Sequence, residues 1–593
     1  MASTLACGSG GCGTKDSGFV TLDAVARSAQ REPVRIARDP QLRGQYLTTA
    51  LMQIPRILGA IDRNPYRGTY GSLDRAHWHY RTSDFPCQMF QEAVWPLALV
   101  YHHSLPGNVW QGSPRLRELI VAALRYAATS SHQDGSCDDY YPYERALGAA
   151  VFATNAAAQS YQLLGLDDAA LGEWLVRRGQ WLIRHNESGR LANHQALAAL
   201  ALARIGQITG EGEFREAARD RIGTVLAWQH AEGWFEEYGG ADPGYQTVTL
   251  EALAEYQRLT GADWLDGAIA RGLNFARCFL HPDGSYGGEY GSRGTYHNYP
   301  HGMELLARRH AAAGELAEGF LQGVSRGRHA AFSDDRMYAH WVGSWIEAWI
   351  DWSATRVAPP AEQASDSSSQ MIQFPAAGLY VHKSPSSMTI VSSARGGTFK
   401  HFVEDECVAA DAGLIAEFEN GQVAATQSHE RDAVGAVKVQ DQPAVLELSR
   451  PAFWVRYETF TPAKFLVFRA GMLTLGRWAR DVVRRLLQRR AITGRKIAPL
   501  RVTRRFEWGD RLRIIDTIEL MDRKRRLRRM HLGVDHHTGY TAAAGAHQQA
   551  SLAVWRDLSD RLSELHATGR VTIIREVATP SASATACRVL SSR

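Results

Sequence analysis

The sequence predicts an α+β multidomain protein, an N-terminal α/α toroid of about six helical hairpins followed by an antiparallel β-sandwich. Three observations carry this. Residues 45–356 string together apolar runs of helical period, whereas from 372 onward the apolar runs are short and β-rich. Between them "VAPPAEQASDSSSQM", residues 357–371, has the composition of a linker. Within the helical half a polar-aromatic cluster recurs at helix openings, marked by His79, Tyr140, His194, Tyr245, His297 and His340, at steps of 61, 54, 51, 52 and 43 residues. One helical hairpin occupies about that length, which makes the clusters an internal repeat. Hairpins in that number can close into a ring, with an open solenoid as the competing arrangement. Only the closed form brings the clusters to one concave mouth.

Taken in order, residues 1–44 are a tail and lead-in. "MASTLACGSGGCGTKDSG" shows neither a basic n-region nor an apolar h-region, so the expected location is cytoplasmic, or periplasmic where a leader has been removed. Cys7 and Cys12 read as part of that tail, and the seven cysteines follow no zinc or disulfide spacing. The helical runs of 45–356 begin with "YLTTALMQIPRILGAI" and "FQEAVWPLALVYHH" and end with "WVGSWIEAWIDWSAT". Ser113-Pro114 is a clear start signal, a capping serine followed by proline at the first helical position. The domain 372–593 contains the strand-like runs "GLYVHK", "MTIVSSA", "LIAEFENG", "AVLELSR", "FWVRYETF", "FLVFRAG", "LRIIDTIEL" and "VTIIREVA". A basic helical insertion is expected around 473–496. There "GRWARDVVRRLLQRRAITGRK", 476–496, holds eight Arg/Lys and one Asp. Such a helix suits peripheral contact with an anionic membrane or a grip on an anionic polymer. The alternative, and the favoured one, is a helical insertion packed on the sandwich with its arginines in solvent.

Composition narrows the function classes. The chain of 593 residues is 45% hydrophobic and 22% charged, and 67 Lys+Arg against 62 Asp+Glu leave a net charge of only +5. No apolar run is long enough to span a bilayer, and the balanced charge argues against a dedicated nucleic-acid binder, although basic residues are concentrated locally. The oligomeric state stays open. There is no glycine-rich phosphate loop, nucleophile-elbow serine or HExxH.

What the repeated openings do contain is His, Tyr, Asn, Gln, Trp and Arg. Aromatics with amide and hydroxyl donors suit carbohydrate, and Arg75, Arg81, Arg145 and Arg293 suit carboxylate or sulfate. Removing the proton α to a uronate carboxylate needs a base, together with donors for the charge that builds on the carboxylate. The contact candidates are Asp74, Trp78, His79, Arg81 and Gln88 in the polar-aromatic stretch 70–93, with Tyr140, Arg145, Gln246, Arg293, Tyr296 and His297 at later openings. The paired acids Asp138/Asp139 and Glu236/Glu237 keep a glycoside hydrolase open as an alternative.

The "ANHQ" of 192–195 and "PGYQ" of 243–246, one hairpin apart, resemble the heparinase II/III-like uronate lyases, whose relatives include oligoalginate lyases and dermatan sulfate epimerases. The resemblance covers most of 45–590 in architecture and is specific only at these two motifs. It implies that Asn193 and His194 neutralise the carboxylate or act as base and that Tyr245 is the catalytic acid/base. The family also carries a His-x-His-Ala-Asp-like stretch near the start of the sandwich, which supplies a catalytic histidine and a zinc ligand. Here "ECVAADAGLIAEFENG", 406–421, keeps Asp411 but has Cys407 and Ala409 where the histidines would stand. His401 in "FKHFVEDE" is the candidate replacement, and no metal or other cofactor is expected. The reading is a lyase that cleaves an acidic polysaccharide or oligosaccharide by β-elimination. Its alternatives are a uronate C5-epimerase, a hydrolase and a non-catalytic glycan-binding scaffold.

Overall fold

The computed structural model describes residues 35–577 except 38, 188, 331, 333–335, 359–368, 433–436, 442–443, 456–460, 489–495 and 534–548, and in the helix 462–488 most side chains from 475 onward. Cys7 and Cys12, most of the 357–371 linker and most side chains of the basic segment 476–496 therefore lie outside the described residues, and with them the expected membrane contact.

The first predicted helical run is two helices, α1 (Gly44–Leu51) and α2 (Ile54–Ala60), because Pro55 starts the second and cannot sit in a helix interior. The short α3 (Arg75–Trp78) and a 3₁₀ helix (Gln88–Ala93) lead to α4 (Val94–His102) and α5 (Pro114–Thr129). Then come α6 (Leu147–Leu163), α7 (Ala169–Arg184), α8 (Ala192–Thr209), α9 (Gly212–Ala227), α10 (Pro243–Thr260) and α11 (Asp266–Ala276). The helical half closes with α12 (Pro300–Leu306), α13 (Ala311–Ser325) and α14 (Met337–Ile350).

Two helix classes alternate. The set α6, α8, α10, α12 and α14 is buried nearly all round, as in α6, where every residue from Leu147 to Ser160 is buried. Its alanine-rich stretches let backbones approach from every side. Helices α5, α7 and α11 carry one apolar stripe, as outer helices do. Helix α6 packs on both the 3₁₀ helix and α8, α8 on α10, α10 on α12, and α12 on α14. Helix α14 then packs on the 3₁₀ helix and α4, where the series began. Strand β1 (Arg35–Ala37) pairs with a strand at the other end of the helical half, Thr355–Val357. Between them a small hairpin, β2 (Glu236–Glu237) and β3 (Gly240–Ala241), precedes α10; Thr355–Val357 is β4.

The second half holds two antiparallel sheets. One has five strands in sequence order, β5 (Gln370–Phe374), β6 (Leu379–Lys383), β7 (Ser387–Ser392), β8 (Thr398–Val403) and β9 (Glu406–Asp411). The other has nine. They are β10 (Gly413–Phe418), β11 (Val423–Ala425), β12 (Lys438–Asp441), β13 (Ala444–Val455), β14 (Ile497–Trp508), β15 (Leu512–Leu520), β16 (Leu527–Gly533), β17 (Arg556–Asp557) and β18 (Arg570–Val577). The five-stranded sheet has two buried faces. Leu379, Val381, Met388, Ile390 and Phe402 join the core of the helical half, while Tyr380, Val391 and Phe399 pack with Leu446, Leu448, Phe506 and Ile514 of the larger sheet. Side chains alternate along a strand, so position parity in β6–β8 decides which half a residue faces.

Two sequence expectations are corrected here. "FLVFRAG", 465–471, is not a strand but part of α15 (Pro462–Gln488), which begins eleven residues before the expected insertion at 473. Phe468 and Met472, four apart, share one helix face, and Phe468 meets Tyr141 edge-on at 5.4 Å. Strand β14 was not foreseen, because "IAPLRVTRRFEW" alternates apolar residues with arginines. Among the described residues no helix is long and apolar enough to cross a membrane.

Candidate active site

Asn193 and His194 open α8 without capping it. The N-cap is Leu191, which makes no side-chain capping bond. The cap comes instead from Glu237 on β2, whose Oε1 accepts hydrogen bonds from Asn193 N at 2.9 Å and Asn193 Nδ2 at 2.8 Å. This bond fixes the Asn193 amide and leaves its second amide hydrogen for a ligand. His194 Nδ1 pairs with Glu187 Oε2 at 3.1 Å, and its ring stands edge-on to Phe152 at 6.1 Å. The ring lies over Gly148, where a Cβ would come within 2.8 Å of His194 Cε1. Glycine at 148 is what lets the imidazole lie there.

Helix α10 opens on Asp242-Pro243, an N-cap aspartate followed by proline at the first helical position. Asp242 Oδ1 accepts from Tyr245 N at 3.1 Å, and its Oδ2 accepts from Arg293 N at 2.8 Å. One carboxylate thus sets both the catalytic tyrosine candidate and the loop that carries Arg293 and His297. The loop can approach because residue 244 is glycine: a Cβ there would sit 3.0 Å from His297 N.

From these openings the site closes through contacts. Tyr245 meets the His297 ring edge-on at 5.1 Å, and His297 meets Trp341 at 5.4 Å. Phe152 touches His340 at 4.8 Å as well as His194, and His340 is ion-paired with Glu92 of the 3₁₀ helix. Arg293 lies over the Tyr238 ring at 4.0 Å. Next to His340 on the chain, Arg336 binds Asp139 and donates to Tyr140 Oη at 2.9 Å. Openings up to 250 residues apart therefore meet at one place. Tyr143, Arg145 and Tyr238, beside these openings, hold positive φ of 61°, 52° and 53°, backbone strain of the kind that functional loops retain.

The β half reaches the same place. A Cβ on Gly240 would come within 2.5 Å of the His429 ring and 2.9 Å of Ser292 Cβ, so His429 lies against the hairpin of Glu237, next to the residue before Arg293. Its loop is anchored by the fully buried Arg450, which binds Ser428 O and, at 2.7 Å, Glu430 O. Helix α15 approaches from another side, with Arg469 paired to Asp84 at 3.0 Å.

Of the residues singled out in the sequence, Asn193, His194, Tyr245, His297 and Arg293 are brought together, and Tyr140 lies beside them, exposed under Arg336. Arg145 is held by Asp134 at 2.5 Å. Five assignments are corrected. Asp74 is the N-cap of α3, accepting from Ala76 N and His77 N, and it also takes Cys87 N at 2.9 Å. Gln88 is buried, with its amide spent on Ala127 O, Ser130, Ser131 and Arg178. Gln246 is spent on Phe235 N, Gly233 O and Gly272 O. Tyr296 turns away from its neighbour His297 into a buried set with Glu289 and Lys400 of β8. His401 has the wrong parity: Lys400 and Phe402 face the helical half, whereas His401 bonds Thr389 Oγ1 at 2.9 Å beside Trp508. Trp78 donates to Ala60 O and lines a surface cavity of about 740 Å³ with Trp110 and Arg115. His79 and Arg81 are exposed, and His79 meets the Trp78 ring edge-on at 5.1 Å. The acidic pairs are committed as well. Asp139 holds Arg336, Asp138 accepts from Tyr143 N and Arg145 N, Glu236 pairs with Arg190, and Glu237 holds Asn193.

Burial dominates the electrostatics of His297 and Glu237. Burial, then the His340 and Arg293 charges, push His297 down to about 3, so it is a neutral imidazole at working pH. Burial pushes the Glu237 carboxyl up to about 8, opposed by the two Asn193 bonds, raised further by Asp242 and lowered by Arg293. A raised folded pKa contributes stability that is complete below the unfolded carboxylate value and is lost as pH rises through about 8. Glu237→Gln mimics the neutral form, so its melting temperature relative to the wild type is expected to climb between pH 5 and pH 8.5. A difference that stays flat across that range rejects the raised value.

No protein-family model matches the chain, and no curated protein does. Solved structures do resemble it. A Paenibacillus xanthan lyase superposes with a TM-score of 0.52 at 12% identity, covering 92% of this chain and 58% of that one. The chondroitin AC lyase of Streptomyces coelicolor A3 gives 0.49 at 13% identity over 84% of this chain and 69% of its own. The chain shares its fold, a helical half followed by antiparallel sheets, with the xanthan lyase, and spans little more than half that enzyme's length.

Proposed function

We propose that the helical half is a closed α/α toroid, that the two sheets form a β-sandwich against it, and that the chain is a carbohydrate-active lyase. Its substrate is an acidic glycan, cleaved by β-elimination next to a uronic acid. The observation that carries the reading is the meeting of Asn193, His194, Tyr245, Arg293 and His297 from successive openings at one mouth. Asn193 and neutral His297 donate to the uronate carboxylate, where charge accumulates as the C5 proton leaves. Arg293 supplies the fixed positive charge. Tyr245 removes the proton and returns one to the leaving glycosidic oxygen, and the His194–Glu187 pair serves as a second proton carrier. His429 takes the place foreseen for His401 as the histidine supplied by the β half.

C5 epimerisation is the second reading, favoured by that pair: a base on each of two neighbouring helices is what proton removal from one face and return to the other requires. The committed acids of Asp138/Asp139 and Glu236/Glu237 weigh against hydrolysis, which needs one carboxylic acid and one carboxylate facing a shared bond. A panel of uronate polysaccharides separates the readings. Elimination yields unsaturated products that absorb in the near ultraviolet, and epimerisation yields none but exchanges the C5 proton with deuterium from solvent. New reducing ends with neither signal would overturn both.

A further inference from the structure

Below the mouth, where α10, α12 and α14 run side by side, a second polar cluster is sealed into the helical half. Glu251 and Glu255 stand one turn apart on α10, His301 on α12, and Glu347 and Asp351 at the end of α14. One ligand atom from each of Glu251, Glu255 and His301 lies within 4.8 Å of the other two, and all three residues are buried. Their approach depends on Gly302, where a Cβ would be 2.5 Å from Glu251 Cα. Nothing in the lyase reading uses this cluster.

The His301 imidazole is the pointer to a ligand. Its side chain is fully buried, and its Nε2 bonds Asp351 Oδ2 at 2.8 Å. Its Nδ1 makes no hydrogen bond, although it points at Glu255 Oε1 at 3.5 Å and Glu347 Oε2 at 3.9 Å. A carboxylate holding the outer nitrogen of an imidazole, with the inner nitrogen aimed into a group of acids, is how proteins orient a histidine ligand to a metal. Neighbouring ligands about 2.1 Å from a tetrahedral zinc are ~3.4 Å apart, close to the spacing of Nδ1 and Glu255. The remaining oxygens are disposed to suit. Glu251 takes Gly302 N and Ser344 Oγ on Oε2, and Glu255 takes Arg204 and Gln159 on Oε2. Each therefore has its Oε1 to offer. Gln159 Oε1, on an amide already touching Glu255, is also buried without a hydrogen-bond partner.

The four carboxylates of Glu251, Glu255, Glu347 and Asp351 are matched by two guanidiniums, Arg204 on Glu255 and Arg258 on Asp351. We infer that this cluster binds one divalent transition-metal ion, of the zinc class, through Glu251, Glu255 and His301, with Glu347 within reach as a fourth ligand. Imidazole with carboxylates favours such an ion over calcium, which takes oxygen ligands alone. The half-exposed Arg258 and partly exposed Asp351 mark the way in from solvent. Glu251 follows Tyr245 by six residues, ~9 Å along the helix, so the ion fastens three inner helices beneath the mouth without touching the reacting atoms.

The test is metal content of the full chain. After treatment with EDTA, the protein is incubated with ZnCl₂ and gel-filtered in metal-free buffer. About one zinc per chain should remain, with a higher melting temperature than the metal-free form, and CoCl₂ in its place should give visible absorption bands. Asp351→Asn, at the solvent-facing rim, should keep its circular dichroism and lose ten- to hundredfold in zinc affinity. Glu251→Gln with Glu255→Gln should retain none. A wild-type chain that retains no zinc overturns the inference and leaves a proton on His301 as the occupant of the cluster. Zinc retained undiminished by both variants also overturns it, by placing the ion elsewhere.

Discussion

Tyr245→Phe is expected to lower turnover on the responsive uronate polymer by about a thousandfold while leaving KM within a few-fold, the loss typical of removing a general acid–base group. The substitution is narrow because the hydroxyl is all that changes. The capping bond to Asp242 is made by the backbone N, and the edge-on contact with His297 is made by the ring, so the helix opening and its packing survive. No neighbour substitutes for the phenol. His297 is held neutral down to about pH 3 by burial and by the charges of His340 and Arg293, and a neutral imidazole already serving as donor is a poor base. His194, tied to Glu187, belongs to the adjacent helix. Single-turnover measurement of unsaturated product checks this. More than a tenth of wild-type turnover in Tyr245→Phe would remove Tyr245 from the acid/base role. Loss of elimination with C5 exchange intact would move the chain to the epimerase reading, with His194 as the surviving base.

How much of this was legible in the sequence follows from the range of each interaction. The repeated openings were readable because a helical hairpin fixes its own length, so clusters one hairpin apart must recur at about fifty residues. Asn193, His194 and Tyr245 were readable for that reason. Asp242 also left a local signal, aspartate before proline at a helix start, although its control of Arg293 did not. Tyr296 misled because it adjoins His297, and in an extended loop neighbours point opposite ways; its partner Lys400 is 104 residues on. His401 misled through strand parity, which a one-residue shift reverses. The bulge between His401 and Phe402 adds to the ambiguity. Gln88 and Gln246 look like ligand donors in composition, but each closes the backbone of a neighbouring hairpin. His429 had no signal at all, since only the docking of the two halves sets it against Gly240. The same docking explains what became of Asp411, the one family-like residue kept in "ECVAADAG". It is not a metal ligand awaiting histidines but the centre of a buried ion network.

That network carries the largest expected effect on stability. Arg504 donates from Nη1 and Nη2 to both oxygens of Asp411 at 3.1 and 3.2 Å and from Nε to Asp516 at 2.5 Å, and Arg575 reaches the same two carboxylates at 2.6 Å each. Arg504, Asp411 and Asp516 are all buried. The strands involved, β9, β14, β15 and β18, belong to both sheets, so the network joins them. Arg504→Met keeps an apolar stem in place of the arginine's but leaves two buried carboxylates with one guanidinium. Breaking a buried pair in this way costs about 3–5 kcal/mol, roughly 10 °C in melting temperature for a domain of this size. The pH dependence gives the sign. Burial alone would raise Asp411, but Arg504 and Arg575 outweigh it and hold the carboxyl below its usual value. A depressed pKa contributes stability that is present above the unfolded value and is lost as pH falls through the folded one. The deficit of Arg504→Met should therefore be full at pH 7 and shrink toward pH 4, where protonated carboxyls need no partner. Arg504→Lys should recover only part of it, because an ammonium cannot span both oxygens of Asp411 and reach Asp516. Thermal melts of the three proteins at pH 4, 5.5 and 7 decide the matter. A pH-independent deficit would mean that lost packing, and not the uncompensated carboxylates, is what the arginine prevents.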